Sequence, residues 1–430
     1  MSARLFRNAR LLTMDPALGD FDHGDLLVEG EHITAVAEHL DAPRHADVVD
    51  AGGCIIVPGF VDTHRHMWQG LFRGIGPAHS LKDYYDVILN THGPALTPAE
   101  LYTGQLLSAR AALASGVTTV QDISNIQDTP ERSDALVTAL QEAGLRAVFA
   151  YGNSYPYAVA HGCALPADAR RVRSEILHDD RALVTMALVT ETGGDDDDER
   201  ANAALAKDLG LRTARHFSGS LSAARLRDIG ALVPGTTVIH GNGMSAEELR
   251  IVADAGGSVS VSAPIEMIMG HGYPMTHAAK AVPGLLVSLS ADVETTVSGD
   301  MFSQMRGAYQ AARRAWHHQQ RPVTAPVGVR DILRMATVDG ARSLGLEGRT
   351  GSLTPGKQAD LLVLRADRPD VAPVHDAYST VVLQMDRSHL DTVLVAGRPH
   401  LVDGRPCADS AALLRDAAQA TRRLRSPKAR

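Results

Sequence analysis

The sequence predicts an α/β protein: a parallel (β/α)8 TIM barrel with a small β-sandwich domain formed by the N- and C-terminal segments. Three observations predict it. Eight short apolar runs recur between residues 55 and 290, and helical segments with recognisable caps separate them. The first 57 residues show short strand-like runs without a helical period, and short strands return over 351–406. Several histidines and one aspartate fall at the ends of the apolar runs, the end of a barrel where active sites lie. The expected organisation is residues 1–57 and 351–406 as the two parts of the β-sandwich, 58–350 as the barrel, and 407–430 as a C-terminal helix and tail.

Composition narrows the function classes. At 430 residues, 44% hydrophobic and 21% charged, the chain can bury a large core. The net charge is −8 with no concentrated basic face, which argues against nucleic acid or an anionic membrane as the main partner. Cys54, Cys163 and Cys407 lie far apart, which reads as buried free thiols in a reducing compartment. No signal peptide or membrane-length apolar window occurs, so a cytoplasmic enzyme is expected.

Taken in order, Gly30-Glu31 between two alternating runs signals a hairpin. Thr97-Pro98-Ala99-Glu100 opens a helix with a capping box, running to Ser115 with Gly116 as its stop. Strands over 117–120, 146–150 and 183–189 alternate with helices over 131–143 and 167–178. The run Asp195 to Glu199 reads as an acidic helix start, not a calcium loop. Strands follow at 211–216, 237–240, 257–262 and 285–290, with a capping box at Ser245. Helices are expected over 301–316 and 329–344, then strands over 360–364, 380–383 and 392–395.

The first barrel strand carries the chemistry. In Val57-Pro58-Gly59-Phe60-Val61-Asp62-Thr63-His64-Arg65-His66, residues two apart point to one side, so His64 and His66 can share a metal. A lone His-x-His is weak. The fifth strand ends at His216, the sixth at His240, and the eighth leads to Asp292, all on the same barrel mouth.

With these residues in place, the sequence resembles the amidohydrolase superfamily over nearly its whole length. It is most similar to the branch of chlorotriazine hydrolases, cytosine deaminase and 8-oxoguanine deaminase. His66-Met67-Trp68-Gln69, Arg73-Gly74, Ala114 to Thr119 and Asp300-Met301-Phe302 carry that finer likeness. The resemblance implies one divalent metal on His64, His66, His216 and Asp292, zinc first and iron as the alternative. It implies His240 against the attacking water or the substrate. A bound cation brings the pKa of water from about 15.7 to about 7. Asp292 would accept the proton, and an sp2 carbon of a small cyclic or heteroaromatic substrate would lose a C–N bond. Hydrolytic dehalogenation and a non-catalytic binding or assembly role are the alternatives, and a homodimer is expected because such relatives commonly pair.

The chain departs from that branch in two places. Where the branch has a glutamate three residues past the fifth-strand histidine, this chain has Gly219, and Ser218 is too poor an acid to replace it. The loop expected after the seventh strand carries Glu266 and His271, candidates for catalytic acid–base work and substrate binding respectively. Gln69 and Trp68 are further substrate-binding candidates, and Met267 and Met269 are expected to line an apolar wall. No lysine lies on the fourth strand to bridge two metals; Glu191 is the one alternative bridge.

Overall fold

A computed structural model describes residues 3–190, 194–217, 222–318 and 325–425. The N-terminal strands are β1 (Ala3–Leu11), β2 (Phe21–Glu29), β3 (His32–Ala37), β4 (Ala46–Asp50) and β5 (Cys54–Pro58). Eight further strands follow: β6 (Phe60–Arg65), β7 (Val117–Asn125), β8 (Arg146–Gly152), β9 (Val184–Thr190), β10 (Thr213–His216), β11 (Thr237–Ile239), β12 (Ser258–Val261) and β13 (Leu286–Leu289). The last four are β14 (Leu361–Arg365), β15 (Leu390–Val395), β16 (Arg398–Val402) and β17 (Arg405–Pro406).

The two chain ends do pair. One sheet runs β17-β16-β15-β14-β5-β1-β2-β3, with β4 beside β1, and antiparallel β5 and β14 join the halves. The β2–β3 hairpin turns through Gly30 at φ +58, a conformation that a two-residue loop demands.

Strands β6 to β13 lie side by side in chain order, all parallel. The ring closes just beyond β13. Asp292 N–H donates to the His64 carbonyl at 2.9 Å, and His66 N–H to the Asp292 carbonyl at 3.0 Å. Beneath that closure a group of buried hydroxyls adjoins an apolar cluster that includes Val61, Ile123, Ala150, Val189 and Ile239. Thr63 Oγ1 meets Ser260 Oγ at 2.7 Å and Ser288 Oγ at 2.9 Å, and Ser290 Oγ lies 2.8 Å from Ser260 and 2.7 Å from Ser262. These buried hydroxyls satisfy one another, which makes their burial tolerable.

A bidentate ion pair fixes the barrel to the terminal sheet. Arg146, opening β8, gives Asp360 contacts of 2.7 and 2.9 Å, with both side chains buried. The helix Ala411–Arg425 buries Leu413, Ala417, Ala420 and Leu424 against the barrel, and Arg423 pairs with Glu100. It continues through the basic Arg422, Arg423 and Arg425. Among the described residues, no helix is long and apolar enough to cross a membrane.

Four expectations are corrected. Residues 380–384 are helical, not a strand, continuing the short helix that Asp376 caps. The helix expected over 329–344 is two, Val329–Met335 and Val338–Ser343. The break leaves the Ala336 carbonyl to accept the Val61 N–H of β6 at 2.8 Å, which a continuous helix would have consumed. Residues 263–269 form a helix with Pro264 in its first turn, where a loop was expected. Cys407 is exposed, whereas Cys54 and Cys163 are buried.

Candidate metal centre

The strand ends bring four imidazoles and one carboxylate together. His64 Nε2 stands 3.2 Å from His66 Nε2 and 3.5 Å from Asp292 Oδ1, and His66 Nε2 is 3.7 Å from the same oxygen. His240 Nε2 faces Asp292 Oδ2 at 3.6 Å. The His216 ring stacks on His66 at 5.3 Å and meets His64 edge-on at 5.1 Å. Donor atoms of His64, His66 and Asp292 all lie within 4.8 Å of one another, as do those of His64, His216 and His240.

Local structure explains the convergence. Asp62 accepts from His64 N–H, Ala291 N–H and Arg65 Nε–H, which ties the end of β6 to the segment after β13. His240 and Asp292 sit at φ +66 and +60, a left-handed backbone unusual for residues with a Cβ. Each turns sharply off its strand, and that turn aims the side chain inward.

The electrostatics of the cluster suit a cation. Burial and the neighbouring imidazoles hold His64 well below the usual histidine range, and burial does the same to His240. Burial pushes Asp292 up to about 7. Neutral imidazoles crowding a buried carboxyl are what a divalent ion stabilises, and a three-imidazole, one-carboxylate set suits zinc or iron. The tautomers agree. His66 Nδ1 faces two acceptors, Asn125 Oδ1 at 2.9 Å and the Ile123 carbonyl at 3.1 Å, so it carries the proton and leaves Nε2 a lone pair. His240 Nδ1 faces Glu266 Oε1 at 3.1 Å with the same consequence.

A cavity of ≈ 190 Å³ opens onto the cluster. His271 lines it, as expected, its ring edge-on to His240 at 4.5 Å; burial holds it down to about 3, so it is neutral near pH 7. Three other expected contacts stand behind the wall. Glu266 is fully buried and accepts from Ser262 N–H, the Asn242 amide and His240, so it reaches the cavity only through His240. Burial pushes its carboxyl up to about 7. Gln69 donates to the Tyr84 hydroxyl at 2.6 Å, and the Trp68 indole N–H donates to Asn125 Oδ1 at 3.1 Å. Met269 lines the cavity, whereas Met267 is 49% exposed. Glu191, Ser218 and Gly219 lie outside the described residues.

The sequence reading missed Asn125, Asn242 and the stretch 81–89 that supplies Leu81, Tyr84, Tyr85 and Leu89 to the cavity. The capping box Ser80-x-x-Asp83 marks the start of that stretch and was a usable signal. Nothing in the sequence distinguishes Asn125 from any other strand-end asparagine.

Residues 55–399 match the model of the Amidohydrolase family. The 5'-deoxyadenosine deaminase of Methanothermobacter thermautotrophicus is 29% identical over 425 residues, covering 92% of this chain and 94% of that one. The 5-methylthioadenosine/S-adenosylhomocysteine deaminase of Desulforudis audaxviator is 27% identical, covering 98% of each. In fold, a zinc-bound adenosine deaminase from Xanthomonas campestris superposes with a TM-score of 0.84 at 21% identity, over 99% of both chains. A zinc complex of atrazine chlorohydrolase from Arthrobacter aurescens does so at 0.82 and 22%, over 97% of this chain and 99% of that one.

Proposed function

The chain belongs to the amidohydrolase family, and from that premise we propose how its strand-end cluster works. It is a metal-dependent hydrolase of carbon–nitrogen bonds. His64, His66, His216 and Asp292 hold one divalent ion, zinc in first place and iron as the alternative. That ion supplies Lewis-acid activation of water at neutral pH. Asp292 takes the proton of the attacking water. His240 Nε2, which carries a lone pair 3.6 Å from Asp292, receives that proton from the aspartate and hands it to the departing nitrogen. Glu266 is a positioning residue: it holds His240 through Nδ1 and stabilises the imidazole when it is charged. His271 and Asn242, both on the cavity wall, orient the ring.

One observation carries this reading: two three-donor groups that share His64, one with His66 and Asp292 and one with His216 and His240, at the inner end of a cavity sized for a small ring. The relatives' names make aminated purine nucleosides the first substrates to try. Hydrolytic dehalogenation is the second reading. Gly219 occupies the position where related deaminases carry an acid, and Glu266 is turned away from the cavity. A departing chloride needs no proton, so such a site suits it. The setting that goes with either reading is a cytoplasmic homodimer handling a small molecule, without nucleic acid or membrane; the net charge of −8 supports the exclusion of nucleic acid and anionic membrane.

The test is a screen of aminated purines, pyrimidines and triazines, lactams and chlorotriazines, scoring ammonia, ring opening and halide separately. Ammonia release lost in Asp292→Ala supports the first reading, and halide release supports the second. If no compound turns over and His64→Ala leaves the protein's biological function intact, the family member is a binding protein instead.

A further inference from the structure

Residues 81–92 build one wall of the cavity, and they do it with a single stripe. Leu81, Tyr85 and Leu89, spaced by four, all line it, as does Tyr84. Lys82, Asp83 and Asp86 are exposed to solvent, and Lys82 is paired with Asp86. The stripe is braced from behind: the Tyr85 ring stands edge-on to Tyr155 at 5.0 Å and to Tyr84 at 6.2 Å, and Gln69 holds the Tyr84 hydroxyl at 2.6 Å. Met269 and Val293 extend the same apolar surface. Apart from the phenols of Tyr84 and Tyr85, the ionisable side chains that line the cavity are His66, His216, His240, His271 and Asp292, all in the metal cluster or in ring contact with it. The cavity therefore has a polar end, where bonds are made and broken, and a carbon-lined end beside it.

We infer that the Leu81–Tyr85–Leu89 wall is a specificity subsite for an uncharged, apolar substituent carried by the ring substrate. This rests on the hydrolase reading. With the reacting carbon at the metal cluster, the remainder of a small ring compound lies against this wall. An alkyl or alkylthio group there leaves water for carbon and gains contact with the tyrosine faces. A phosphate or carboxylate in the same place loses its hydration and meets carbon atoms in return.

The experiment uses the zinc-reconstituted protein and two matched substrate pairs: 5'-deoxyadenosine against adenosine 5'-monophosphate, and an N-alkyl against an N-carboxyalkyl aminotriazine. On whichever ring is hydrolysed, kcat/KM for the uncharged member exceeds that for the charged one by about 100-fold. Tyr85→Ala and Leu81→Ala each cut that ratio about tenfold, through KM of the uncharged member. Leu81→Lys, at a half-buried position, raises kcat/KM for the charged member. A wild-type ratio near one, or a ratio that neither alanine variant moves, overturns the subsite. Turnover of neither ring, with no nitrogen or halide released, overturns the hydrolase reading itself.

Discussion

His240 and Asp292 hold a left-handed backbone at the two places where the chain leaves a barrel strand for the centre. A side chain in that region costs roughly 1–3 kcal/mol and survives only where surrounding contacts impose it. Here the closing bonds of Asp292 with His64 and His66, and the grip of Glu266 on His240, impose it. Asn125 plays the corresponding part for His66. Asn125→Leu is expected to weaken zinc binding by about 10-fold or more, whereas Asn125→Asp, which keeps the acceptor, retains it. Competition with a chelator of known affinity measures both, and equal affinity in Asn125→Leu would refute the role. Glu266→Gln keeps the hydrogen-bond shape but removes the charge that steadies a protonated His240. A fall in kcat of roughly 100-fold with unchanged zinc content is expected, and full activity would show that His240 needs no charged partner. The metal-binding candidates were legible at this scale because imidazoles at strand ends have few other uses in such number. The division between contact and support was not. Trp68, Gln69 and Glu266 lie within a few residues of cavity-lining side chains, yet each turns to a neighbour's polar atom instead.

The elements behind the centre are packed closely. The 3-10 turn Met67–Phe72, which follows His66, lies against the helix Pro98–Leu113 at Gly70, where a Cβ would come within 2.2 Å of the Gly104 carbonyl oxygen. That helix is held in turn by the C-terminal helix through Arg423 and Glu100. Glu100 also closes the capping box with Thr97, and the Arg423 and Thr97 contacts hold its carboxyl below the usual range despite the opposing effect of burial. Its folded pKa is thus lower than its unfolded one. The stabilisation is fully present above the unfolded value of about 4.3 and is lost as pH falls through the folded value. Arg423→Ala should therefore lower Tm at pH 7, and its gap from the wild type should narrow below about pH 4. A gap that stays constant down to pH 3 would rule the pair out as its cause. The capping boxes at Thr97 and Ser245 were readable from sequence because they depend on residues three apart. The split at Ala336 and the helical 380–384 were not, since a distant N–H on β6 and the neighbouring cap decide them.

Across the whole molecule, the barrel and the terminal sheet meet at a buried charge pair. Asp360 accepts from Arg146, from Thr350 Oγ1 at 3.1 Å and from the Ala396 N–H at 2.7 Å, so its removal strands a buried guanidinium and two further donors. Asp360→Ala should destabilise the fold by about 3–5 kcal/mol, and replacing Arg146 and Asp360 together by leucine should cost much less. Equal losses in thermal or denaturant unfolding would mean that the pair acts only through packing. The architecture itself was legible because eight strand-and-helix alternations admit few arrangements, and because His64 and Asp292 mark the two strands that close the ring. The cavity's apolar side was not, since it comes from residues 81–92, which lie between the first barrel strand and the helix Pro98–Leu113.

The central claim is that one divalent ion sits among His64, His66, His216 and Asp292. Elemental analysis of protein purified without chelator tests it most directly. The expected result is one zinc or iron per chain, falling to background in His64→Ala. Substoichiometric metal after reconstitution, or a full complement retained by His64→Ala, would contradict it.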